Sequence, residues 1–321
     1  MDFINLRKKI VPIALLFLCA LSCKKNSKNN IIGLVSSATP EASKVGEHIF
    51  LKGGNAIDVA VAVSFALGVT EPAMSGLGGG TQVLLSIKNG KPFAINGTTL
   101  SPANTPTNIA DTLTYHRRST IPSTVKVLDY LWRTYGSGKV SWSELLDPAI
   151  SLAENGFTVG KFRAKVYNQY EAKLLKSKFN TSFFLIDGNR IPVENEILKQ
   201  PVLANTLKRL AKFGANDFYI GEIAKDIAKD MQKHNGWITM KDLQDFPQPN
   251  EVPALVSGYK EMNVFSQPPP CGGWTVLLAL NVMELLSKEH TLNNTDITEA
   301  LYIAHNDRDI DPITDLINYD S

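Results

Sequence analysis

The sequence predicts an α+β fold in which helices predominate. Three observations predict it: capped helical segments recur along the chain, two hairpin signatures interrupt them, and the composition is that of a protein with a core. Of 321 residues, 44% are hydrophobic and 20% charged, which excludes a disordered chain, and three cysteines are too few for a disulfide scaffold. With 33 basic against 31 acidic residues the chain is near neutral, so no nucleic-acid partner is expected.

Residues 1–22 read as an export signal: a basic start at Arg7-Lys8-Lys9, an apolar run from Ile10 to Leu21, then small Ser22. The run is too short to span a bilayer, which takes about 20 residues. Cys23 follows Ser22, whereas Cys19 follows bulky Leu18. Ala20-Leu21-Ser22-Cys23 resembles the bacterial lipoprotein box, which makes Cys23 the expected site of lipid attachment; ordinary secretion, with Cys23 inside the signal, is the alternative. Residues 23–30, polar and lysine-rich, read as a tether. The expected location is therefore outside the cytoplasm, lipid-anchored to a bacterial membrane and facing the periplasm or the surface. Cleavage before Cys23 leaves 30 basic and 30 acidic residues, so the slight positive charge belongs to the signal.

Residues 31–310 contain no linker or repeat and read as one domain, ahead of an acidic end at 311–321. Thr39-Pro40-Glu41 supplies an N-cap, a first-turn proline and an early acid for a helix to about Lys52. Asn55 caps a second helix, apolar on every side except Asp58 from Ala56 to Leu67, and therefore buried. Thr81–Ile87 and Pro92–Ile95 flank Asn89-Gly90 as a hairpin. Helices follow over Thr124–Tyr135, from the capping box Ser141-Trp142-Ser143-Glu144, near 160–176, 196–213 and 219–234, and from Thr239. Val252–Ser257 and Glu261–Ser266 read as paired strands around Gly258-Tyr259. An apolar helix then runs to about Leu286 and a last one from Thr295 to His305.

Most familiar site chemistries are missing from the sequence. Five scattered histidines give no zinc spacing, and no metal or cofactor is expected; His48, His116, His234 and His290 read as surface or capping residues. Asp307, Asp309 and Asp311 alternate like calcium ligands, but Pro312 and Asn318 stand where that loop requires glycine and glutamate. Gly78-Gly79-Gly80 suits either an anion cradle or a close approach of two backbones, and the second is expected.

Longer strings carry more. Gly53-Gly54-Asn55-Ala56-Ile57-Asp58-Val59-Ala60-Val61-Ala62, Gly68-Val69-Thr70-Glu71-Pro72 and Ser75-Gly76-Leu77-Gly78-Gly79-Gly80 are followed in order by Leu145-Leu146-Asp147-Pro148-Ala149, Phe218-Tyr219-Ile220-Gly221-Glu222, Gly236-Trp237-Ile238-Thr239 and Pro268-Pro269-Pro270-Cys271-Gly272-Gly273. This ordered set strongly resembles the large-subunit portion of the γ-glutamyltransferase (γ-glutamyltranspeptidase, glutathione hydrolase) family, over about residues 31–310.

The resemblance implies an N-terminal-nucleophile hydrolase fold, an αββα sandwich of which this chain holds the large-subunit part. It implies a proenzyme whose small subunit begins with a threonine that is both nucleophile and, through its α-amine, base. The matching segments end at Asn306-Asp307-Arg308 and no Thr-Thr-His-like segment follows before Ser321, so the chain is expected to lack its catalytic residue and to be inactive without a small-subunit partner. That partner is also expected to cover apolar surface that the chain alone exposes. A second departure is Thr98, which occupies the position of the family's carboxylate-binding arginine. Threonine makes no bidentate charged pair; Arg117 or Arg118 is a candidate replacement, though both are expected to be solvated loop charges. Two alternatives stay open: a non-catalytic surface lipoprotein on the family scaffold, and half of an amidase or acylase acting on something other than a γ-glutamyl compound.

Overall fold

In the computed structural model, the described residues are 33–310 apart from 89, 108–112, 114, 177–179 and 181–182. The export signal, Cys23, the tether and the acidic end at 311–321 all lie outside them, as do Asn89 of the first hairpin turn and Asp311.

Local capping chemistry sets where helices begin. Helix α1 (Pro40–Leu51) starts where Thr39 Oγ1 accepts from Ala42 N at 3.3 Å. Helix α2 (Ala56–Thr70) starts at a full capping box: Asn55 Oδ1 accepts from Ile57 N and Asp58 N, and Asp58 Oδ2 accepts from Asn55 N. Asp58 is completely buried and also receives Ser137 N at 3.1 Å, so the one acid of this apolar helix joins its start to the loop after Tyr135. After strands β1 (Val83–Leu85) and β2 (Phe93–Asn96) come a short 3₁₀ turn at Tyr115–Arg118 and helix α3 (Thr124–Tyr135). Helix α4 (Trp142–Asn155) begins at the second capping box, between Ser141 and Glu144.

The main core lies among α1 to α4 and α6 (Pro201–Phe213). Phe65 of α2 meets Trp142 edge-on at 5.4 Å, and Trp142 Nε1 donates to Leu210 O at 3.0 Å. Helix α5 (Lys161–Lys176) contributes one buried cation, Arg163, inserted beside α1 and α2.

Three expectations change. Residues 196–200 are not helical: β4 (Ile197–Leu198) pairs with β3 (Phe157–Thr158), and Pro201, with no N–H to give a ladder, opens α6. The helix expected over 219–234 is α8 (Glu222–Lys233), and a separate short helix, α7 (Asn216–Tyr219), precedes it. They part at Gly221, where a Cβ would lie 2.1 Å from Asp217 Oδ1. Finally, the strand expected at 252–257 is divided. After α9 (Met240–Gln244), β5 (Asn250–Pro253) pairs with β2, giving the antiparallel order β1-β2-β5, whereas β6 (Leu255–Tyr259) pairs with β7 (Met262–Ser266). Lys260, at φ 48°, turns the second hairpin, so the turn falls one or two residues later than expected. Helix α10 (Gly273–Leu286) packs Trp274 and Leu277 on Leu255 of β6, and α11 (Asn294–Ile310) lies against α10. Asp307 and Asp309 are in α11, which is no calcium loop. Among the described residues no helix is long and apolar enough to cross a membrane.

Candidate functional site around Thr98

Thr98 follows strand β2, where three pieces of backbone converge. Gly97 O accepts from Thr81 N at 3.3 Å and from the Ser123 hydroxyl, and Gly79 O accepts from Ser123 N at 3.0 Å and Thr124 N at 3.2 Å. A Cβ on Gly80 would stand 3.1 Å from Thr99 Cγ2, and one on Gly97 would stand 2.0 Å from Thr81 O. Close approach is therefore required at Gly97 and, within the tri-glycine, at Gly80, whereas a Cβ on Gly78 would meet nothing within 4 Å.

The Thr98 hydroxyl is already engaged. It donates to Asn96 Oδ1 at 2.7 Å and accepts from Gln82 Nε2 at 2.6 Å, while Thr98 N donates to Asn96 Oδ1 at 3.0 Å. Asn96 and Thr98 line a cleft of about 200 Å³ together with Ser123, Phe246, Gln248 and Asn250. No charged side chain lines it. Arg117 does not replace the missing cation: its Nε donates to Asn235 O at 3.3 Å and its guanidinium lies 5.9 Å from the Trp237 ring centroid. Arg118 donates to Leu113 O. The cleft thus offers hydroxyl and amide groups to a ligand and no cationic clamp for a carboxylate.

Tyrosines brace the cleft from behind. Tyr219 is buried, donates to Pro122 O at 3.0 Å, accepts from Lys126 N at 3.1 Å and stacks on Phe246. Tyr130 and Tyr135 both donate to Glu251 of β5, beside Asn250. Burial, then the Glu251 carboxylate, pushes the Tyr135 phenol from 10.0 up to about 12; the same causes raise Tyr130, and burial raises Tyr219. The folded chain holds these protons more tightly than the unfolded chain does. Their contribution to stability is therefore complete below pH 10 and is lost as pH rises toward 12. Urea midpoints should fall across that interval, and Tyr135→Phe should flatten the fall. A midpoint that does not change over the same interval rules this bracing out.

Of the histidines read as surface or capping residues, His290 pairs with Asp296 at 3.0 Å, while His116 and His234 share Asp230. Asp230 and His234 are four residues apart, a spacing visible in the sequence. Their approach to His116, more than a hundred residues earlier, is set by the fold alone. Cys271 is a free thiol, half-buried, its pKa raised by burial.

Comparison with known proteins agrees with the strings in the sequence. Residues 42–316 match the gamma-glutamyltranspeptidase family. The glutathione hydrolase proenzyme of Escherichia coli is 33% identical over 294 residues, an alignment covering 86% of this chain and 50% of that protein. This chain therefore spans about half the length of the curated relatives it matches. The crystal structure of Helicobacter pylori gamma-glutamyltranspeptidase superposes with a TM-score of 0.83 at 31% identity, covering 91% of this chain and 87% of that one. A cephalosporin acylase from Bacillus halodurans superposes at 0.73 with 28% identity, covering 84% of this chain and 52% of that one. The fold is that of the N-terminal-nucleophile hydrolases, as the resemblance implied, and the chain belongs to the γ-glutamyltranspeptidase family.

Proposed function

We propose that this chain is the large-subunit half of an exported, lipid-anchored enzyme that hydrolyses or transfers acyl groups from amides of the γ-glutamyl type, and that it turns over only with a threonine-led small subunit. The observation that carries the reading is the family match over 42–316, in a chain that spans about half of its relatives. Surface chemistry supports the need for a partner. Val256 and Met262 of the β6–β7 hairpin, Val276 and Leu285 of α10 and Tyr302 of α11 are all exposed, and apolar surface of this kind favours a covering subunit. The anchor rests on Ser22-Cys23 and the basic, then apolar, start of the sequence.

Co-expression tests the proposal: the full chain, with and without a threonine-led small subunit, is assayed for amine release from a γ-glutamyl anilide, and the mass of its N-terminal peptide is measured. Release only by the pair, with lipid on Cys23, is the expected result. Release by the chain alone would overturn its dependence on a partner, and an inert pair would favour a non-catalytic surface lipoprotein. An N-terminal peptide without lipid would remove the anchor.

A second reading keeps the chemistry and changes the substrate. The uncharged cleft at Thr98 supports it, as does the likeness to a cephalosporin acylase. Here Thr98→Arg in the assembled pair should restore a guanidinium for the substrate carboxylate and lower KM for a γ-glutamyl anilide by at least about tenfold. If the unaltered pair already prefers free γ-glutamyl compounds to other amides, this second reading fails.

A further inference from the structure

The structure assigns a divalent transition-metal site, of the zinc class, to His116, Asp230 and His234. His116 Nε2 lies 2.9 Å from Asp230 Oδ2, and His234 Nδ1 lies 3.2 Å from Asp230 Oδ1. One nitrogen from each ring and one carboxylate oxygen all fall within 4.8 Å of one another. An ion about 2.0–2.2 Å from each of three tetrahedral ligands requires ligand separations of roughly 3.3 Å. The ion therefore fits with adjustments of the order of a side-chain rotation and no change in backbone path.

Two imidazoles and one carboxylate suit zinc and its transition-metal neighbours better than calcium or magnesium, which prefer all-oxygen sets. The donors come from separate parts of the chain. Asp230 and His234 stand one helical turn apart at the end of α8, and His116 projects from the 3₁₀ turn at Tyr115–Arg118. The two rings stack, with centroids 4.5 Å apart and planes 15° from parallel, so binding requires one ring to tilt until both in-plane lone pairs meet at the ion. His116 and His234 remain partly exposed, so water can reach the ion and complete its shell. His234 Nδ1 donates to Asp230 O at 2.9 Å; an ion bound at Nδ1 displaces that hydrogen bond and leaves the ring proton on Nε2. The cation next in sequence to His116, Arg117, directs its guanidinium to Asn235 O and the Trp237 face.

An ion held this way ties the 3₁₀ turn at Tyr115–Arg118 to the end of α8. The site is separate from the Thr98 cleft, whose lining includes none of the three ligands. It also stands independently of the proposed acyl transfer.

The test is calorimetric titration of the full chain, purified without a histidine tag, with zinc chloride, together with visible absorption after loading with cobalt(II). One saturable equivalent is expected, with cobalt d–d bands and no thiolate charge-transfer band. His116→Gln and His234→Gln should each weaken zinc binding at least about tenfold, and His290→Gln should leave it unchanged. Circular dichroism checks that each variant is folded, and Asp230→Asn repeats the test should a histidine variant not fold. The proposal is overturned if the wild type takes up no saturable equivalent, or if a folded His116, His234 or Asp230 variant keeps wild-type affinity. In that event Asp230 serves only as a shared hydrogen-bond partner for two rings.

Discussion

Arg163→Ala should destabilise the chain by about 3–5 kcal/mol, the cost of breaking a buried ion pair from one side. The guanidinium of Arg163 is buried to 9% exposure and makes a two-pronged contact with Glu41, Nη2 to Oε1 at 2.9 Å and Nη1 to Oε2 at 3.3 Å. The same two nitrogens donate to Thr70 O at 3.1 Å and Thr158 O at 2.7 Å, and the cation lies 4.9 Å from the Phe157 ring centroid. One side chain thereby joins the start of α1, the end of α2 and strand β3. Truncation leaves a carboxylate and two carbonyls without their donor and opens a space where the guanidinium stood. Lysine keeps the charge but reaches only one of these acceptors well, so Arg163→Lys should recover a minor part of the loss.

The loss is read from urea unfolding, as a lowered midpoint at constant slope. Pairing Arg163→Met with Glu41→Leu should recover the part due to the orphaned carboxylate, while Thr70 O and Thr158 O stay without the Arg163 donor. A loss below about 1 kcal/mol for Arg163→Ala would mean that the pair behaves like a solvent-screened surface bridge.

Arg163 also shows where the sequence was legible. The helix that carries it was expected near 160–176 and runs over Lys161–Lys176, yet nothing in the sequence marks its one buried arginine or joins it to Glu41, more than a hundred residues earlier. The helix starts were readable because a cap acts over three residues: Thr39 on Ala42, Asn55 with Asp58, Ser141 with Glu144 and Thr239 with Asp242 all form as expected. Strands were read less well, since a partner decides them. Ile197–Leu198 is a strand because Phe157–Thr158 lies beside it, and 250–253 separates from 255–259 because β2 takes the first and β7 the second.

The same division runs through the candidate sites. Thr98 was found through ordered family strings; that its hydroxyl is held by Asn96 and Gln82 emerges only in three dimensions. His116 and Asp230 illustrate the limit of spacing rules, for only one of the three donor pairs in that cluster is local.

Gly97→Ala should cost about 3 kcal/mol, the upper end of overpacking penalties, and should also displace the candidate site. The added Cβ would lie 2.0 Å from Thr81 O and 2.5 Å from Val127 Cγ2. The first of these is a backbone atom next to strand β1, and it cannot rotate away as a long side chain would. Relief requires the 81 and 97 segments to separate, which strains the Thr81 N to Gly97 O bond and moves Thr98 relative to Ser123. Should Thr98 position substrate in the proposed pair, a shift on the order of 1 Å there lowers turnover about 100-fold. Gly78→Ala is the matched control, since its Cβ would meet nothing within 4 Å, and its stability from urea unfolding should stay within about 0.5 kcal/mol of the unaltered chain. If Gly78→Ala proves as damaging as Gly97→Ala, close backbone approach is not what the glycine-rich loop provides, and its peptide N–H groups become the part of the loop to examine for anion binding.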